Sequence, residues 1–174
     1  MVKVCKQQKI PLINLVRRQE QVELLKSLGA EMVINTSEPN WEQELKELAH
    51  KLQANVCFEA VSGDMTGRIL NVLPRGGVVY LYGALSEQPA CAIDPIQTIF
   101  RHKRLQGWIL GNYLKTKSLF GLMGLVKKVQ ALLLDDTMKS DVAERITLDQ
   151  IKDSIPKYQA NMTAGKFLIY PNKV

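Results

Sequence analysis

The chain has 174 residues, 46% of them hydrophobic, 23% charged and 6% aromatic, with a formal net charge of +6 and a pI near 9.2. This composition excludes wholesale disorder and supplies one good core, or one core with a small appendage. No apolar run reaches the length of a membrane span, and the basic residues are dispersed among acids, as in "EQELKELAHK", rather than gathered in a stripe with aromatics, so neither a membrane nor a nucleic acid is an expected partner.

The N-terminal "MVKVCKQQKIP" is too short in apolar residues and too broken by lysine for a secretory signal, which makes the cytosol the expected compartment. It reads as the end of a helix stopped by Pro11. "LINLV" is then a continuous aliphatic run, the pattern of a strand buried on both faces in a parallel sheet. From Gln19 to Leu28 the residues Val22, Leu24, Leu25 and Leu28 trace a helical face ended by Gly29, and "EMVIN" is a second short strand. The cycle repeats. "NWEQELKELAHKL" carries Trp41, Leu45, Leu48 and Leu52 at helical spacing, and "NVCFEAV" follows as a strand. Thr66 to Leu73 is helical, "VVYLYGA" is a strand, Ile96 to His102 a short helix and "RLQGWIL" a strand. This alternation predicts an α/β fold with a doubly wound parallel sheet and right-handed crossovers.

After Asn112 the rhythm changes: Leu119 to Leu134 forms one long helix, "ERITLDQ" is strand-like, Gln150 to Tyr158 is helical and "KFLIY" is a last strand. A boundary is expected near 112–118, dividing residues 1–113 from a C-terminal helical and hairpin extension, 114–174. Cys5, Cys57 and Cys91 are odd in number and far apart, which fits reduced, buried thiols rather than a disulfide framework or metal spacing; His50 and His102 have no ligand partner at helical spacing and read as solvated or capping residues.

In open α/β sheets ligands bind beyond the C-terminal ends of the strands, which here read "VRR", "VSG", "YGA" and "ILGN". Glycine in three of the four allows a ligand to approach the backbone. Arg17 and Arg18 stand where an acidic residue would bond the ribose of NAD and where a guanidinium would accept the 2′-phosphate of NADP; they could equally do no more than solvate the strand end. "VSGDMTG" and "YGALS" could brace a ribose and a nicotinamide through main-chain groups, or be ordinary loops. "PRGG" lacks the ending of a phosphate loop. No general acid, base or nucleophile emerges: Tyr80 and Tyr82 lie on a strand expected to be buried, and Tyr113, Ser62 and Ser86 have no histidine or carboxylate placed to activate them.

Together, "VRRQEQVELLKSLGAEMVINT", "FEAVSGDMTGRILNVLPRGGVVYLYGALS", "FRHKRLQGWIL" and "NMTAGKFLIYP" resemble the C-terminal half of the medium-chain dehydrogenase/reductase superfamily, the zinc-type alcohol dehydrogenases and quinone oxidoreductases, nearest in character to NADPH-dependent quinone and enoyl reductases. The resemblance implies a Rossmann-like domain lacking its first strand and glycine-rich loop. It implies that Arg17 and Arg18 meet the 2′-phosphate of NADP(H), that Val61 and Ser62 lie against the ribose, and that backbone groups of Tyr82, Gly83 and Ala84 face the carboxamide. Trp108 and Leu110 would line the far side of the nicotinamide, and Lys166 would reach the pyrophosphate. The family's zinc ligands and proton-relay residues fall mostly outside these residues, so no catalytic residue and no zinc are expected in this chain, and cofactor binding is expected to be weak or absent. The substrate class implied is a carbonyl, enone or quinone compound, and the segment 104–110 is the expected edge of a homodimer. The competing expectations are a non-catalytic Rossmann-like interaction module and, less well matched, a doubly wound methyltransferase.

Overall fold

The computed structural model describes residues 1–88 and 91–171, and the chain divides into two compact units, Met1–Val126 and Lys127–Val174. In the first unit helix α1 (Val2–Gln7) leads to strand β1 (Ile13–Val16), α2 (Gln19–Ser27), β2 (Met32–Asn35) and α3 (Trp41–Leu52). Then follow β3 (Val56–Glu59), α4 (Asp64–Val72), β4 (Val78–Leu81), α5 (Pro95–Ile99), β5 (Arg104–Gly107) and α6 (Leu110–Lys115). Every ladder is parallel, as the strand and helix alternation demands. β1 pairs with β2, and β3, β4 and β5 pair in that order. The fold is thus the α/β, Rossmann-like arrangement read from the sequence. Its sheet comes in two pieces, β1-β2 and β3-β4-β5.

One core serves both pieces. Trp41, Leu45 and Ala49 repeat every fourth residue on α3, and Ile69, Leu70 and Leu73 come from α4 and its end; they close on Ile34 of β2 and Val79 of β4. Each large side chain buried there contributes about 1.5–3 kcal/mol. Arg68 lies over the Trp41 ring, 4.7 Å from its centroid, and pairs with Glu42, which seals the solvent side of the α3–α4 contact. Lys103 is buried, and its Nζ donates to the Asn71 carbonyl at 2.8 Å. The ammonium thereby caps the last turn of α4, where carbonyls lack helical partners.

In the second unit β6 (Val142–Thr147) runs through a short 3-10 turn (Leu148–Gln150) into α8 (Ile151–Ala160) and returns as β7 (Lys166–Tyr170). The two strands pair in parallel, so the expected hairpin is instead a β-α-β unit. The reason is the connection: a crossover helix carries the chain back to the starting end, which a tight antiparallel turn would not do. The long helix α7 (Leu119–Leu134) precedes this unit and has no buried residue, leaving Phe120 and Leu134 more than four-fifths exposed. Among the described residues no helix is long and apolar enough to cross a membrane.

Candidate functional site

β3, β4 and β5 end side by side, and the loops that leave them are tied together by main-chain bonds. Tyr82 N–H donates to the Glu59 carbonyl (2.9 Å), Leu85 N–H to the Ala60 carbonyl (3.1 Å), and Ser86 N–H to the Val61 carbonyl (2.7 Å). Trp108 N–H extends the next ladder onto the Leu81 carbonyl at 2.9 Å. The loops approach so closely that a Cβ on Gly83 would stand 2.7 Å from the Ala60 carbonyl oxygen. Glycine is required there because no side chain atom fits between the two loops.

Beneath these loops sits Glu59, 4% exposed and without an ion-pair partner among the described residues. Its carboxylate accepts from the N–H groups of Val61 and Ser62 and, at 2.6 Å, from the Thr66 hydroxyl. Hydrogen bonds from backbone amides to a carboxylate are strong enough to hold a turn in an otherwise uncommon shape. Here Ser62 has φ +73° and Gly63 φ +66°. Sequence reasoning passed over Glu59. The available signal was a lone acid inside the apolar run "NVCFEAV", followed seven residues later by a threonine in the first turn of a helix. The same carboxylate and burial act on the neighbouring thiols: desolvation, aided by Glu59, pushes Cys57 up to about 12, and Cys91 is raised by desolvation first, then by Glu59 and Asp64.

The predicted site residues fall into three groups. Val61, Ser62, Tyr82, Gly83, Ala84 and Trp108 share the strand ends of β3-β4-β5. Two of the main-chain groups considered for ligand contact are already used, the Tyr82 N–H by Glu59 and the Ala84 carbonyl by Glu87 N–H. The Tyr82 carbonyl, the Gly83 peptide groups and the Ala84 N–H take part in none of these loop bonds. Leu110 departs from expectation: it begins α6 rather than ending a strand, because the ladder stops at Gly107 where β4 ends at Leu81. Trp108 leans on Tyr113 of that helix, ring centroids 6.1 Å apart.

Arg17 and Arg18 form the second group, at the exposed end of β1. Their N–H groups both donate to the Gln21 side-chain oxygen, at 3.2 and 3.1 Å, and Ser37 Oγ donates to the Arg17 carbonyl at 2.6 Å. Main chain is thus fixed while the Arg17 guanidinium has no ion pair among the described residues; Arg18 lies 3.9 Å from Glu20. Lys166 belongs to the second unit, where its Nζ donates to the Tyr158 hydroxyl at 3.0 Å beside a cavity of about 280 Å³ lined by Ile146, Ile151, Ile155 and Phe167. No group of three or more His, Cys, Asp or Glu side chains among the described residues is placed to hold a metal ion, and His50 and His102 are both exposed.

Comparison with known proteins bears on this arrangement. The chain is 29% identical over 128 residues to the mitochondrial enoyl-[acyl-carrier-protein] reductase of Arabidopsis thaliana, a match covering 71% of the chain and 32% of that enzyme. The crystal structure of a candidate NADPH:quinone reductase from Mesorhizobium loti superposes with a TM-score of 0.86 at 27% identity, covering 98% of the chain and 48% of that protein. The mitochondrial 2-enoyl thioester reductase heterodimer from Candida tropicalis shares the fold with a TM-score of 0.75 at 22% identity, over 97% of the chain and 49% of that chain. The chain therefore spans from about a third to half the length of these relatives. Because the zinc-binding dehydrogenase family matches residues 1–128, nearly three quarters of the chain, the chain belongs to that family, corresponding to its C-terminal half.

Proposed function

We propose that the chain is the dinucleotide-facing part of an NADPH-dependent oxidoreductase acting on a carbonyl, enone or quinone compound. The observation that carries this reading is the convergence of three strand ends, with main-chain groups of Tyr82, Gly83 and Ala84 outside the bonds that tie the loops together, in the same unit as an arginine whose main chain is fixed at the end of β1. Membership of the zinc-binding dehydrogenase family and the enoyl and quinone reductase names of the relatives support it.

The residues present suit such a cofactor. Arg17, with Arg18 beside it, offers a planar fork of donors to a 2′-phosphate. Val61 and Ser62 would border the ribose, and the Gly83 and Ala84 N–H groups with the Tyr82 carbonyl suit a carboxamide. Trp108 and Leu110 would bound the other side. NADPH, when bound, supplies a hydride. The residues of this chain bind and orient it; none is assigned as acid, base or nucleophile. No step runs through zinc, since the donor set does not fit that ion: no group of three or more His, Cys, Asp or Glu side chains is placed to hold it among the described residues.

Residues 1–174 contain no glycine-rich turn ahead of Arg17, so they offer the pyrophosphate no cradle of backbone N–H groups. The 174-residue chain alone is then expected to bind NADPH weakly and not to turn over. The outer edge of β5, with all four residues exposed, is the surface proposed for homodimerisation. Calorimetric titration with NADPH and NADH, repeated on Arg17→Ala, tests the reading. Preference for NADPH that disappears in the variant supports it, and equal affinity for both, unchanged by the substitution, would overturn the assignment of Arg17.

A further inference from the structure

At the end of β1 every main-chain polar group from the Val16 carbonyl to the Arg18 carbonyl is bonded within the chain. The Val16 carbonyl accepts from Thr36 N–H at 2.7 Å and from the Thr36 hydroxyl at 3.2 Å, and the Arg17 carbonyl accepts from Ser37 Oγ at 2.6 Å. One oxygen, Gln21 Oε1, takes the N–H groups of both Arg17 and Arg18, at 3.2 and 3.1 Å. The Arg18 carbonyl accepts from Gln21 N–H at 3.0 Å in the first turn of α2. A ligand at this strand end therefore meets side chains rather than backbone.

Gln21 is the third residue of α2, the position from which a glutamate or a glutamine reaches back to the N–H of the residue before the helix. Either side chain offers the required oxygen, and they differ in charge. A carboxylate accepts more strongly and suits the positive end of a helix, so hydrogen bonding and helix stability give no reason to prefer glutamine. Charge at the neighbouring guanidinium groups does. The acid already present, Glu20, stands 3.9 Å from Arg18 in a pair whose acidic side chain is 80% exposed, a loose contact that water and salt screen. Arg17 has no ion pair among the described residues. A carboxylate at position 21 would be of another kind: half-buried, and held in place by the Arg17 and Arg18 amides themselves.

We propose that Gln21 is a specificity-determining residue, which fixes the Arg17–Arg18 turn with a neutral acceptor and so keeps the strand end positive for a phosphate monoester on a ribose. The inference rests on the reading of Arg17 as the partner of a 2′-phosphate, and it adds a second residue that sets the choice without touching the ligand. Gln21 acts through charge and through the main chain of its neighbours.

The test is NMR titration of the full chain with adenosine 2′,5′-bisphosphate and with adenosine 5′-monophosphate, in the parent, Gln21→Glu and Gln21→Met, with amide exchange followed at Arg17 and Arg18. The parent is expected to prefer the bisphosphate. Gln21→Glu keeps both hydrogen bonds, so exchange at the two amides stays as in the parent, while the preference falls about three- to tenfold through repulsion of the phosphate. Gln21→Met removes the acceptor and adds no charge: the two amides exchange faster, and the preference falls less than in Gln21→Glu. A purely structural role for Gln21 predicts the reverse order, and a preference lost in Gln21→Met but kept in Gln21→Glu would overturn the proposal while leaving Arg17 its assignment. Absence of any preference in the parent would overturn the assignment of Arg17 and this inference with it.

Discussion

The hydroxyl of Thr66 donates to the buried carboxylate of Glu59 at 2.6 Å, tying the end of β3 to the first turn of α4. Seven residues apart in sequence, the two close the loop that carries Val61 and Ser62. Thr66→Val keeps the shape of the side chain and removes only the donor. It is expected to lower unfolding free energy by about 1.5–3 kcal/mol, the range for a hydrogen bond to a charged group that is left short of a partner. Urea denaturation checks it; a change within about 0.5 kcal/mol of the parent would mean that the bond carries no net stability.

Gly83 and Gly107 end neighbouring strand paths but differ in their surroundings. A Cβ at Gly83 meets the Ala60 carbonyl oxygen at 2.7 Å, whereas one at Gly107 meets nothing within 4 Å. Gly83→Ala is therefore expected to cost about 1–3 kcal/mol as the two loops are pushed apart, and Gly107→Ala to stay within about 0.5 kcal/mol. Amide exchange at Leu85 and Ser86, which bond across to Ala60 and Val61, should rise in the first variant only. Equal behaviour of the two variants would refute the close-approach argument.

How far the sequence reached follows from which forces it writes down locally. Periodicity located α3 and the runs that become β1 through β4, since apolar spacing directly records which face is covered. It placed "RLQGWIL" as one strand to residue 110, while the chain leaves the ladder at Gly107 and coils into α6 from Leu110, because strand length depends on the partner β4 rather than on the apolar run itself. Likewise the parallel pairing of β6 with β7 is decided by α8 between them, not by either strand. Strand ends were legible as candidate ligand positions through their glycines. Glu59 was not, since its stability comes from amides and a hydroxyl of the folded turn that no local pattern displays.

Lys103 offers a test of a buried cation at a helix end. Its ammonium donates to the Asn71 carbonyl, and burial, helped by Arg101 and Lys46, moves its pKa below the usual lysine value of 10.5. Where the folded pKa lies below the unfolded one, the unfolded state holds more protons in the window between them, so this group makes stability rise with pH as 10.5 is approached. Lys103→Met is expected to flatten that rise and to leave the Asn71 carbonyl without its donor. Parallel denaturation curves at pH 8 and pH 10 would show the difference; an unchanged pH response would contradict the assignment.

Cys57 acts in the opposite sense and at higher pH. Its thiol is pushed from 9.0 up to about 12 by desolvation, with the Glu59 carboxylate adding repulsion against a thiolate. Below pH 9 the thiol is protonated in both folded and unfolded chains and contributes no pH dependence. Above 9 the unfolded chain loses the proton first, so it binds fewer protons than the folded chain and stability falls with rising pH, by about 1.4 kcal/mol per pH unit toward 12. Cys57→Ala removes this slope, and the difference between parent and variant isolates it from the lysine effect. The same protonation makes the thiol a poor nucleophile, so iodoacetamide at pH 8 should alkylate Cys57 in the folded chain far more slowly than in urea. Mass mapping after timed alkylation reads this directly, and labelling of Cys57 at the unfolded rate in the native chain would show that the thiol is neither desolvated nor held protonated.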